Sequence, residues 1–227
     1  MSQRIADLHR LYQALAALRA RPEGSRLIGA CTGRFAWPRR GVYFIFETGE
    51  LRPDGSPRVI RVGTHAVSAG SRTTLWNRLK AHVGNGTGDS ANGNHRGSVF
   101  RRHVGAALLA SGEAGRPCST WGVGSSAEKS VRDSERWLEA LVSLRIGAME
   151  VLWVDADDEP GRASVRGKIE RSTIALLSGA EPPSATWLGH HAPAPEIRKS
   201  GLWNVNHVED DYDPAGLNLL ERIALSR

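Results

Sequence analysis

Only two cysteines occur in the 227 residues, Cys31 and Cys118, and neither sits in a Cys-x-x-Cys pair. That scarcity excludes a disulfide scaffold and a zinc ribbon, and it makes a reducing, cytoplasmic setting the expectation. No run approaches the roughly 18 consecutive apolar residues of a membrane-spanning helix. Residues 1–10 carry no apolar core of a secretory signal, so no membrane partner is expected. Lysine is scarce too, because arginine supplies 26 of the 30 basic side chains. Guanidinium forks suit bidentate phosphate contacts, although a GC-rich genome would favour arginine codons as well.

What is present fits one sizeable domain. A mass of 24.6 kDa, 40% hydrophobic and 24% charged residues and a mean hydropathy of −0.34 give enough apolar surface for a core and argue against whole-chain disorder. The net charge of +6 is unevenly spread: residues 1–40 sum to +6, 41–70 to zero, 71–110 to +5 and 111–227 to −5. A basic front half of this kind suits a polyanion such as nucleic acid.

Along the chain, Ile5, Leu8, Leu11, Tyr12, Leu15 and Leu18 recur at helical spacing, predicting a helix over 2–21 that Ser2 caps and Pro22 ends. Residues 41–47 and 57–63 are rich in β-branched and aromatic side chains and flank Asp54-Gly55, which reads as a β-hairpin. Helical spacing returns over 71–83, with Arg78 and His82 one turn apart on one face. A Gly/Asn-rich loop over 84–94 follows. Further helices are predicted over 98–109, 127–144, 162–178 and 214–225, with a buried strand over 149–154. Asp155, Asp157, Asp158 and Glu159 lack the spacing of a calcium loop and read as an exposed turn. The order describes an α+β fold, a small antiparallel sheet flanked by helices, with an N-terminal helix and a helical insertion. The expected division is an N-terminal helix and connector over 1–39, a main domain over 40–206 with its insertion at 85–148, and an acidic tail and helix over 207–227.

Hydrolysis of a phosphodiester needs a base for the attacking water, cationic groups for the developing charge and, commonly, a divalent cation on hard oxygen ligands. Tyr43 on the first hairpin strand, Arg78 and His82 on the next helix, Glu170 on a later helix, and Asn204 and Asn206 beside Trp203 offer those types in order. Gly41-Val42-Tyr43, followed by Val-Ile-Arg-Val-Gly over 59–63 with Arg61 eighteen residues after Tyr43, resembles the signature of the GIY-YIG nucleases. The resemblance covers about 40–84 and 149–206. Matched residue by residue, it implies Tyr43 as the base, Arg78 as the essential helix arginine, Glu170 as the ligand of Mg²⁺ or Mn²⁺, and Asn204 or Asn206 as the polar loop residue. His82, one turn after the arginine, matches the restriction-enzyme branch. Two departures stand out: Arg61 occupies the place of the second tyrosine, and Thr64 that of a lysine often found after the glycine.

The resemblance implies a metal-dependent endonuclease acting on DNA, double-stranded rather than single-stranded, in restriction, defence or mobile-element biology. By analogy, a homodimer is the expected means of cutting both strands. Arg61, Arg78 and His82 are expected to assist Tyr43 electrostatically. Arg96, Arg101, Arg102 and His103, together with Lys80 and Asn206, are the expected nucleic-acid contacts. Two alternatives stand beside this reading: a nucleic-acid-binding module of the same fold that has lost cleavage, and an interaction protein that uses its basic half.

Overall fold

The computed structural model describes residues 3–84 and 93–226. Ser2 and most of the predicted 84–94 loop lie outside the described residues. In chain order the elements are α1 (Gln3–Arg19), β1 (Arg26–Leu27), β2 (Gly41–Leu51), β3 (Pro57–Gly63), α2 (Leu75–Val83), α3 (Val99–Ser111), α4 (Lys129–Gly147), β4 (Glu150–Asp155), α5 (Val165–Leu177), α6 (Pro195–Ser200) and α7 (Pro214–Leu225). The fold is α+β, with a four-stranded antiparallel sheet in the order β1-β4-β2-β3 flanked by helices. Among the described residues no helix is long and apolar enough to cross a membrane.

The hairpin closes at Asp54-Gly55. Gly55 takes φ +81°, a conformation glycine holds without a Cβ penalty, and the Asp54 carboxylate accepts the Ser56 backbone N–H at 2.9 Å. Strand β2 pairs with β3 on one side and β4 on the other, and its residues 41–46 are all buried. Successive side chains of a strand face opposite ways, so both faces need a cover. Val42, Phe44, Val62, Leu152 and Val154 pack under α1, α5 and α7. Tyr43, Ile45 and Val151 pack under α2, α3, α4 and the segment around Trp187 and Trp203. The helical insertion is therefore the cover of one face, and the two terminal helices complete the other.

Pairing slips between Ile45 and Phe46, which oppose Arg61 and Val59. Ile60 is the extra residue of a β-bulge, which re-aims the side chains beside it. Ile60 joins the Tyr43 side of the core, and the Arg61 guanidinium lies over the Phe100 ring at 4.8 Å on that same side.

Charge from the basic front half is spent inside the molecule. Arg4 donates to the carbonyls of Ala175, Leu176 and Ser178 at the end of α5. Arg21 does the same for Ile223, Ala224 and Ser226 at the end of α7. A cation at a helix C-terminus satisfies carbonyls that lack intrahelical partners and meets the negative end of the dipole. Arg10 pairs with Asp7 and Glu221, and Arg19 with Glu150. Under the sheet, Arg101 on α3 is fully buried and bonds Glu139 of α4 through Nε at 2.9 Å and through Nη2. Glu139 also accepts from the backbone and Nδ1 of His95. Burial pushes the Glu139 carboxyl upward, but the bonds from His95 and Arg101 carry it below the usual carboxylate range. Glu139→Ala would strand the Arg101 charge, and we expect a loss of about 3–5 kcal/mol in urea unfolding. A loss below about 1 kcal/mol, the range of exposed pairs, would show that the pair does not hold α3 to α4.

Candidate active site

The ring of Tyr43 lies across Gly63. A Cβ at residue 63 would sit 2.2 Å from the tyrosine oxygen, so the glycine of the second tripeptide is there because the tyrosine of the first occupies its side-chain space. The Tyr43 hydroxyl is 2.7 Å from Nε2 of His82. Nδ1 of His82 is 2.7 Å from Oγ of Ser98, the N-cap of α3. This Tyr43–His82–Ser98 chain is buried throughout. Burial above all, then the charges of Arg78, Arg61 and Arg101, drive the His82 pKa well below that of a free imidazole. His82 is thus a neutral acceptor or donor in a closed hydrogen-bonded row.

Beside this row a cleft of about 280 Å³ opens, lined by Arg61, Arg78, Glu170, Asn204, Asn206 and His207, among others. Tyr43 and His82 do not reach its wall. Arg78 has no side-chain hydrogen bond or ion pair among the described residues, and its Nε is buried without a partner. Arg61 donates through Nη1 to the Trp203 carbonyl, while its Nε is also unpartnered. Glu170 on α5 accepts the Thr64 backbone N–H at 2.9 Å. Burial raises its pKa, against the opposing pull of that N–H, Arg61, His207 and Arg78.

The turn that presents Thr64 is fixed by a strut. Arg166, fully buried on α5, bonds the Asp158 carboxylate and the His65 carbonyl, and Thr64 Oγ1 donates to the Gly41 carbonyl at 2.8 Å. Ala66 is held there at φ +54°. Asp158, predicted to lie in a merely exposed turn, is the acid that orients Arg166 and accepts the first N–H of α5.

The two candidate asparagines separate. Asn204 accepts from Val62 N at 3.1 Å and donates to Val62 O at 2.8 Å, while Trp203 N donates to the Ile60 carbonyl at 2.7 Å. Residues 203–204 thereby satisfy the outer edge of β3, as a further strand would. Asn206 is exposed at the cleft.

The predicted basic patch is not assembled. Arg101 is inside the fold with Glu139, and Arg96 makes a bidentate pair with Glu135 whose side chains are 4% and 2% exposed. His103 is half-buried, and burial first, then Arg102 and Arg61, push its pKa down to about 4. Arg102 and Lys80 are exposed. A sequence signal for this existed: Arg101 shares helical spacing with Val104 and Leu108, and Glu135 and Glu139 share it with Leu138 and Val142. Complementary charges inside two apolar stripes mark a buried pair. The roles of Ser98, of His207 and of the Thr64 backbone N–H are not marked in the sequence, because a cap, a loop histidine and a backbone donor carry no pattern.

Glu170 gives this region a measurable signature. Its folded pKa is raised, so ionising it costs stability as pH climbs above the unfolded value of about 4.3. Glu170→Gln removes that cost and can keep the bond from Thr64. The variant is expected to melt higher than wild type at pH 8, with the gain fading as pH falls through the raised pKa and the native carboxyl gains its proton. Equal melting temperatures at pH 8 would contradict the burial argument.

The model of the GIY-YIG domain matches residues 2–226, nearly the whole chain. No curated protein and no solved structure matches it. The match takes in both terminal helices and the insertion as well as the hairpin whose Tyr43 and Gly63 are in contact, and on that extent the chain belongs to the GIY-YIG family.

Proposed function

We propose that the chain is a divalent-cation-dependent endonuclease that hydrolyses DNA phosphodiester bonds, in restriction, defence or mobile-element biology. One observation carries the reading: two arginines and a carboxylate, none of them in an ion pair among the described residues, line a single cleft, beside a tyrosine already bonded to a neutral histidine. Uncompensated groups of both signs, converging in a concavity, are what a phosphate and a metal ion would satisfy.

Glu170 suits Mg²⁺ or Mn²⁺ through its carboxylate oxygen. Among the described residues no group of three or more His, Cys, Asp or Glu gathers to form a cage. A hard cation held by one carboxylate keeps most of its water, the habit of Mg²⁺. When bound, it supplies neutralisation of charge on the attacked phosphate and on the leaving 3′ oxygen. Arg78 donates to a non-bridging oxygen, and Arg61 adds a second fixed positive charge where the family signature has a tyrosine. Tyr43 takes the proton of the attacking water, with His82 Nε2 in place to relay it. The products are a 5′ phosphate and a 3′ hydroxyl. A double-stranded substrate cut by a homodimer completes the proposal.

A second reading rests on a different observation. Tyr43 is fully buried, so a module that grips DNA in the cleft without cutting is also compatible with this arrangement.

Supercoiled plasmid with Mg²⁺ or Mn²⁺ separates the two. The nuclease reading expects nicking that EDTA abolishes, that Glu170→Ala removes, and that Tyr43→Phe slows by about 10²–10⁴-fold. Salt-sensitive binding with no cutting under any metal would establish the binding module instead, and cleavage surviving both substitutions would overturn the assigned roles.

A further inference from the structure

One cleft residue has no part in the reaction described so far. His207 stands in left-handed backbone at φ +65°, which residues with a Cβ hold against a steric cost and which clusters at functional sites. The loop is anchored on both sides of it: the Asn204 amide is tied to Val62, and Ser178 Oγ donates to the Val208 carbonyl at 2.6 Å. Nδ1 of His207 is 2.7 Å from Oδ2 of Asp210, its one ion-pair partner among the described residues. Nε2 is then the ring nitrogen left for a ligand. The charged groups around it are Asp210 on its own segment and Glu170, Arg61 and Arg78 across the cleft.

On the nuclease reading, on which this inference rests, two protons must be managed. Water loses one as it attacks phosphorus, and the 3′ oxygen gains one as it leaves. Tyr43 and His82 serve the first. They cannot serve the second at the start of a turnover, because buried His82 is neutral. Arg61 and Arg78 are engaged as cations against the phosphate, and Glu170 is committed to the cation. Among the side chains lining the cleft, that leaves the His207 imidazole to supply the second proton.

We propose that His207, oriented by Asp210, is the general acid that protonates the leaving 3′ oxygen. The water oxygen bonds to phosphorus while its proton passes to the Tyr43–His82 row. The electron pair of the P–O3′ bond moves onto O3′, and the Nε2 proton follows it. One water is consumed, the Tyr43–His82 row returns its proton to solvent, the His207 imidazole regains one from solvent, and no redox partner is needed. The same Asp-oriented imidazole geometry serves proton transfer in other hydrolases.

The test uses a DNA duplex at a bond first mapped with the wild-type protein, in Mn²⁺, with that bond's 3′ oxygen left natural or replaced by sulfur. A thiolate leaves without needing a proton. His207→Ala and His207→Asn are compared, asparagine being at home in the left-handed region and unable to titrate. Both variants are expected to lose about 10²-fold in kcat on the natural bond with KM unchanged, and to cut the sulfur-bridged bond at close to the wild-type rate. Asp210→Asn is expected to show the same split in weaker form. Equal losses on both bonds, or no loss with His207→Asn, overturn the inference while the nuclease reading stands. A wild-type protein that cuts neither bond overturns both.

Discussion

A sheet with apolar side chains on both faces cannot persist without a cover on each, and this constraint organises the molecule. Strand β2 is buried on both faces from Gly41 to Phe46. One cover comes from the two ends of the chain, α1 and α7, with α5. The other comes from α2, α3, α4 and the segment through Trp203. The cleft lies where that second cover meets the outer edge of β3. Leu75, Leu79 and His82 turn inward from α2, which leaves Arg78 at the rim. The edge of β3 would otherwise present unpaired backbone groups, and Asn204 and Trp203 close it. Asn204 thus serves the fold directly and the site indirectly, by carrying Asn206 and His207 to the cleft.

The same packing explains the lopsided charge. Arginines of the front half meet carbonyls and acids of the back half: Arg4 and Arg21 at helix ends, Arg10 and Arg19 on Glu221 and Glu150, Arg96 and Arg101 on Glu135 and Glu139. These are bonds between distant parts of one chain, so part of the regional excess records which half supplies the cations for them, while Arg72, Arg78, Lys80 and Arg102 have no ion pair among the described residues. A guanidinium already bidentate to a buried carboxylate cannot turn to a phosphate without stranding its partner, a loss of several kcal/mol. The cations to weigh for function are those left after pairing, of which Arg78 is the clearest.

Most of the scaffold was legible because its signals are local. The hairpin, α2, α3, α4, β4, α5 and α7 follow from residue periodicity, caps and turn residues within a few positions of the predicted bounds. The strand β1, two residues long, and α6, six residues long, are too short to show a period. The site was legible only in its residue types. That Tyr43 meets Gly63 depends on register, and the orientation of Arg61 depends on a bulge at Ile60; neither leaves a mark in one sequence. Arg101 misled because the burial of a charge is decided by a carboxylate 38 residues away. The choice between Asn204 and Asn206 needed the edge of β3.

Arg61 in place of the second tyrosine is the feature on which cleavage turns, and its surroundings show what the exchange does. A phenol there would be neutral, whereas Arg61 is a cation with an aromatic ring and a carbonyl as neighbours and no ion pair among the described residues. Together with Arg78 it makes the inner cleft positive, which helps to hold His82 neutral and pulls Glu170 toward ionisation, although burial still dominates there. The buried guanidiniums elsewhere in the fold, Arg58, Arg101 and Arg166, each meet a carboxylate, whereas Arg61 and Arg78 have no ion pair among the described residues. Such an arrangement costs stability, and proteins keep costs of this kind where activity needs them. A change that compensated Arg61 or Arg78 from within the chain would stabilise the protein and, by the same act, remove what the cleft offers to a phosphate.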